Sequence, residues 1–248
     1  MKYPWFYSSS NSLPSDIDYQ KLSSFFNSTF DRALGWEPQP NSFKQEFGAG
    51  KGLINLTFDA LRRRLDSNAS LPNSSYTIFG DSFALSRQVK DDQTICHFLG
   101  QYFNQYFPNY GVGNYGLDQS FLRAKKIGST GKYIFIIVPE TIVRMNTRWR
   151  HLHETGNIFG FKSMFCIDER SSLKLLPNPI CNFSDYQSVF AGFRDGSNLF
   201  VDDPCYQYRF LPETFNLTRL LSFHRGPYIK IYELLRNYVT KPISRHYD

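Results

Sequence analysis

Apolar positions in the 248-residue chain follow two different periods in turn. Leu22, Phe25, Phe26 and Phe30 recur at helical spacing, and Gly35-Trp-Glu-Pro-Gln-Pro40 breaks that pattern. Ile54, Phe58, Leu61 and Leu65 fall on one stripe and predict a second helix over 53–65. Residues 67–75, rich in Ser, Asn and Pro, read as a loop leading to the brief apolar run 76–79, which predicts a buried strand. Ile95, Phe98, Leu99, Tyr102, Phe103 and Tyr106 then predict an amphipathic helix that Pro108 stops. A short strand and a glycine-rich turn follow. Leu117, Phe121 and Ala124 mark another helix, which 128–131 ends, and the β-branched run 133–138 reads as a central parallel strand.

Strand, helix, strand, helix, strand in that order argues for an α/β fold, a three-layer α/β/α arrangement around a mainly parallel doubly wound sheet. Residues 1–74 read as an amino-terminal helical arm and 75–248 as the α/β domain. Within it, 161–167 and 173–176 flank Asp168-Glu-Arg-Ser-Ser172 and predict a hairpin insertion over 159–179. Residues 184–226 look irregular. Tyr228, Ile231, Tyr232, Leu235 and Tyr238 predict a closing helix.

Composition narrows the classes. Hydrophobic residues are 41% of the chain, enough for an ordinary core and against global disorder. Aromatics are high, with 24 Phe and 16 Tyr, which fits either core filling or a carbohydrate-facing surface. The net charge of +6 is diffuse. Its dense spots are Arg62-Arg63-Arg64, read as a solvated helix face, and Arg148-Trp149-Arg150, so no nucleic-acid partner is expected. Cys96, Cys166, Cys181 and Cys205 show no metal-ligand spacing, and Cys96 reads as a reduced core thiol. No metal or organic cofactor is expected. No run approaches the ~20 apolar residues of a membrane span, and the amino terminus lacks a signal-peptide apolar region, so the cytoplasm is the expected location.

Two runs carry the chemistry. Ile-Phe-Gly-Asp-Ser-Phe, residues 78–83, places a serine just past the end of the first strand, where α/β folds put reactive groups. A serine hydroxyl needs a base and an anion-stabilising pocket to act as a nucleophile. Without them, Asp81 or Ser82 reads simply as a helix cap. The second run is Asn109-Tyr-Gly-Val-Gly-Asn-Tyr-Gly-Leu-Asp-Gln119, whose glycines otherwise read as plain turn chemistry.

Together these runs resemble two blocks of the SGNH hydrolases, the GDSL-type esterase superfamily. The likeness continues more loosely through Val138-Pro-Glu-Thr-Ile-Val-Arg-Met-Asn146 and Phe159-Gly-Phe-Lys162, as in a bacterial branch with Pro-Glu-Thr after the third strand. It covers roughly residues 30 to 180. The resemblance implies a Ser82 nucleophile with Asp81, Gly113, Asn114, Glu140 and Arg144 around the oxyanion and substrate. Three positions depart from the family pattern. Asn114 stands where a glycine usually donates its N–H. Glu140 stands near the usual Asn donor, and an ionised Glu only accepts. Arg144, one helical turn on, either supplies a cationic donor or forms a surface ion pair with Glu140. The Asp-x-x-His block that supplies the base is not found. Of the five histidines, His224 and His246 are late enough in the chain to be candidates. His97 reads as a satisfied surface or rim residue, and His151 and His153 as members of a solvated loop.

The expectation is therefore a serine hydrolase or acyl-transfer domain acting on a small-molecule or carbohydrate ester through a Ser82 acyl-enzyme. The alternative is a non-catalytic relative, or a chain cut short before its last block, that binds a glycan or protein partner. Oligomeric state is not legible.

Overall fold

A computed structural model describes residues 17–47, 52–128, 131–152, 157–167 and 171–194. All of them belong to one compact unit, Pro14–Ser197; a second unit, Met1–Leu13 with Asn198–Asp248, lies outside the described residues. So do the expected closing helix at 228–238, His153, His224, His246 and Cys205.

The protein is of mixed α/β type. Helix α1 (Tyr19–Ser28) starts at Asp18, whose carboxylate accepts the N–H groups of Gln20 and Lys21. Two short antiparallel ladders follow: β1 (Phe30–Asp31) with β2 (Gly35–Trp36), and β3 (Ser42–Phe47) with β4 (Leu53–Phe58). The helix expected over 53–65 is thus a strand and a turn. Ile54, Leu56 and Phe58 are buried while Leu53 and Asn55 are exposed, a period of two that overrides the helical spacing of Ile54, Phe58 and Leu61. The region expected as a helical arm holds one described helix and these two ladders.

The centre of the unit is β5 (Tyr76–Gly80), which pairs in parallel with β6 (Lys132–Ile136) from Tyr76 opposite Lys132 to Gly80 opposite Ile136. On the other side of β5, residues 108–112 run alongside it. Ile78 N–H donates to the Pro108 carbonyl at 2.9 Å, Tyr110 N–H to Ile78 at 2.8 Å, and Val112 N–H to Gly80 at 3.0 Å. Single-residue bridges then connect Asn109 to Arg64 and Arg64 to Phe58, reaching β4.

Two helices come between these strands: α2 (Ile95–Phe103) and α3 (Leu117–Ile127). Successive residues of β5 face opposite ways. Ile78 packs with Cys96 and Leu99 of α2, whereas Phe79 packs with Ala124 and Ile127 of α3. Helix α2 was expected from its stripe of large apolar residues, but of that stripe within the helix it is Leu99 that packs on the core cluster. Ile95, Phe98, Tyr102 and Phe103 are exposed, Tyr102 by 83%, and Cys96, His97 and Gly100 point inward. Cys96 is a free, buried thiol, as its apolar setting implies.

After β6 come the short helix α4 (Pro139–Val143), then β7 (Met164–Ile167) and β8 (Leu173–Leu176), which form the expected antiparallel hairpin. Helix α5 (Asp185–Arg194) occupies part of the stretch expected to be irregular. Tyr186, Val189 and Phe190 form its buried stripe. Tyr186 and Phe190 pack around Phe161, which stacks on Trp149 with ring centroids 5.2 Å apart. No helix among the described residues is long and apolar enough to cross a membrane.

Candidate active site

Gly80 closes β5 at φ +152°, and a Cβ there would lie 2.7 Å from both the Ala84 Cβ and the Ile136 carbonyl oxygen. Only glycine makes this exit, which turns the chain out of the sheet at its carboxyl end. Asp81 follows, completely buried. Its Oδ1 accepts the Phe83 N–H at 2.9 Å, and its carbonyl accepts the Leu85 N–H at 2.9 Å. Asp81 is thus the residue that caps the turn, and no hydrogen bond within the described residues occupies the Ser82 hydroxyl. Ser82 is half-buried, and Phe83 beside it is 59% exposed.

The second run lies directly against this turn. Asn109, buried, donates through Nδ2 to the Ala84 carbonyl at 2.8 Å and accepts the Gly111 N–H at 2.9 Å. A Cβ on Gly111 would lie 2.3 Å from the Leu85 backbone nitrogen, so the close approach depends on glycine. Asn114 takes the left-handed conformation, φ +65°, that its short amide side chain tolerates. Its Nδ2 reaches Asn157 Oδ1 at 3.4 Å. Within the described residues no hydrogen bond occupies the backbone N–H of Ser82, Gly113 or Asn114.

The third segment contributes differently from expectation. Arg144 is not half of a surface ion pair. It is buried, and its Nη1 donates to Asp81 Oδ2 at 2.9 Å and to the Tyr115 carbonyl at 3.5 Å. One guanidinium therefore ties together the serine turn, the glycine-rich turn and the segment after α4. Burial raises the Asp81 carboxyl above its ordinary proton affinity, the nearby Glu140 charge adds to this, and the Phe83 N–H and Arg144 oppose it. Glu140, in the first turn of α4, is partly buried.

Three further residues were not singled out from the sequence. Arg64, in the run read as a solvated helix face, is buried after β4. It donates to the carbonyls of Leu85, Ser86 and Val89 and to Asp91 Oδ1, fixing the chain that leaves Ser82. Lys162 and Asp118 form a fully buried ion pair, and Asp118 Oδ1 also accepts the Gln119 N–H at 2.8 Å. A lone Lys in an otherwise apolar run, Phe159-Gly-Phe-Lys162, was the available signal for that pair.

The histidines are less helpful to Ser82. His97 is nearly buried on α2 and bonds to Ser67 rather than Ser82. His151 is not in a solvated loop: it is buried against Trp149, ring centroids 5.0 Å apart. His224 and His246 lie outside the described residues. Among the described residues, no three His, Cys, Asp or Glu side chains gather as metal ligands.

No family model matches this chain, and no curated protein or solved structure shows significant similarity to it.

Proposed function

We propose that the chain is an SGNH-like serine hydrolase or acyl-transfer domain, built on a three-layer α/β/α core and acting on ester-linked acyl groups of a small molecule or carbohydrate. The observation that carries this reading is the placement of Ser82 just past the carboxyl end of a parallel strand, hydrogen-bonded alongside the turn that holds Gly113 and Asn114. Helices packed on both faces of β5 support the layered core.

The chemistry follows from the groups present. Ser82 Oγ attacks the acyl carbon, and the unoccupied N–H groups of Ser82, Gly113 and Asn114 are candidates to hold the oxyanion. Asp81, committed to Phe83 and Arg144, positions the serine turn and does not take its proton. Arg144 acts through Asp81 in the same way. The family resemblance calls for an imidazole to take the proton; His224 and His246, the candidates read from the sequence, lie outside the described residues. The exposed Phe83 ring offers an apolar face beside the hydroxyl. Replacing Ser82 with Ala should abolish turnover of a small unactivated acetyl ester, and undiminished turnover would rule the mechanism out.

One observation favours a second reading. Within the described residues no imidazole reaches Ser82, and the one cation of the third segment is spent on Asp81. A non-catalytic relative that binds a glycan or protein partner would tolerate both. Strong labelling of Ser82 by a fluorophosphonate probe counts against that reading.

A further inference from the structure

A hydroxyl–imidazole hydrogen bond is present in this protein, but at Ser67. Ser67 Oγ lies 2.7 Å from His97 Nδ1. Asn68 settles which partner donates. Its side-chain amide reaches the His97 carbonyl at 2.8 Å, and a carbonyl only accepts, so the atom there is the NH2 group. The same NH2 lies 3.4 Å from Nδ1. A donor in that position favours a lone pair on Nδ1, which makes the ring the Nε2–H tautomer and directs the Ser67 O–H at Nδ1. That is the arrangement in which a ring nitrogen can accept a hydroxyl proton.

The surroundings complete the set. Asp66 is 7% exposed; its Oδ1 accepts the Asn68 N–H at 2.8 Å, and its buried Oδ2 has no hydrogen-bond partner. Burial raises the Asp66 carboxyl, while the Asn68 N–H and the Arg64 guanidinium favour its ionised form and Asp91 opposes it. An ionised carboxylate next in sequence to Ser67 stabilises the imidazolium that forms when Nδ1 takes a proton. The ring itself is held by α2, where the His97 backbone N–H donates to the Thr94 cap hydroxyl at 2.9 Å. His97 is nearly buried while Ser67 is exposed, so the base is sheltered and the hydroxyl is presented to solvent.

We propose that Ser67, with His97 as its base and Asp66 as the charge partner of that base, is a second serine nucleophile, one that takes activated esters and related acyl or phosphonyl electrophiles. Ser67 Oγ forms a bond to the acyl carbon while its proton passes to His97 Nδ1. The tetrahedral intermediate expels the alkoxide, which leaves with that proton. Water, giving a proton to the same nitrogen, then cleaves the acyl–Oγ bond; the proton returns to Ser67 and the carboxylic acid departs. This inference does not rest on the role of Ser82.

The test is fluorophosphonate labelling of the full chain carrying Ser82→Ala. Residues 65–87 form one tryptic peptide containing both serines, so fragment ions must place the label. The expected result is a label on Ser67 whose rate rises with pH through a single imidazole-like deprotonation and falls about 100-fold in His97→Gln. The pH profile is read on the intact ring, so it decides the matter even if His97→Gln fails to fold. No label on Ser67 overturns the proposal. So does a rate unchanged in folded His97→Gln, or one that tracks hydroxide without an imidazole step. A label on Ser82 in the unsubstituted chain reports on that site separately.

Discussion

Arg144 Nη1 lies 2.9 Å from Asp81 Oδ2 in a pair buried from solvent, and this contact joins the segment after α4 to the turn that carries Ser82. Removing one partner of such a pair leaves the other charge buried, which costs about 3–5 kcal/mol. Arg144→Met should therefore destabilise the protein by about that much at neutral pH. The loss should be smaller near pH 4, where Asp81 is neutralised at less cost. Urea denaturation at the two pH values checks both parts.

The sign of the Asp81 contribution to pH-dependent stability follows from burial. Its proton affinity is raised in the folded state, so the fold binds that proton more tightly than the unfolded chain does. This contribution is fully present below the unfolded-state pKa and is lost as pH rises through the folded-state value. Asp81→Asn carries no such proton. Its stability relative to the unsubstituted protein should improve as pH rises from about 4 toward 7. A flat or falling difference in parallel denaturation curves would contradict the assignment of burial as the main cause.

Gly111→Ala tests whether the two turns must touch. Its Cβ would enter the space of the Leu85 nitrogen, a backbone atom with little freedom to yield. The expected cost is about 1–3 kcal/mol, with loss of any Ser82-dependent turnover. Gly113→Ala meets nothing within 4 Å and should leave stability nearly unchanged, which makes it the matched control.

Lys162 and Asp118 make a second buried pair. Lys162→Met strands the Asp118 carboxylate and should cost about 3–5 kcal/mol. Adding Asp118→Leu should recover a large part of that loss, and a double-mutant cycle measures the recovery. Purely additive losses would mean that the pair is not coupled.

The thiols should differ in reactivity. Burial pushes the Cys96 thiol up to about 12, whereas Cys181 is exposed. Under native conditions iodoacetamide should modify Cys181 and spare Cys96, and denaturant should abolish the difference. Peptide mapping of the alkylated protein decides it.

The two parallel strands, the helices between them and the β7–β8 hairpin were legible because each carries one strong period and clear breakers. The 53–65 segment was ambiguous because Ile54 and Phe58 satisfy both a helical and an alternating pattern; Leu56 and exposed Asn55 resolve it, together with Asp59, which accepts the N–H of Leu61 and Arg63 and forms the turn. Helix α2 was legible as a helix but not in its facing, since its small residues Cys96 and Gly100 go inward and its aromatics outward. Arg64, Arg144 and Lys162 were missed or misplaced for one shared reason. A cation's partners in a buried site come from distant segments, and neither a charge run nor an i, i+4 pair reveals them. Within the serine turn, Gly80 was legible as a tight exit and Asp81 as a cap, whereas the close packing of Gly111 on Leu85 joins distant segments and was not.

The most direct test of the central claim is to quench a reaction with p-nitrophenyl acetate at early times and to sequence the acylated peptide of residues 65–87. The expected result is an acetyl group that fragment ions place on Ser82, separately from any on Ser67, and that is absent from position 82 in Ser82→Ala. An acetylated intermediate that never carries the group at Ser82, with ester turnover undiminished in Ser82→Ala, would contradict it.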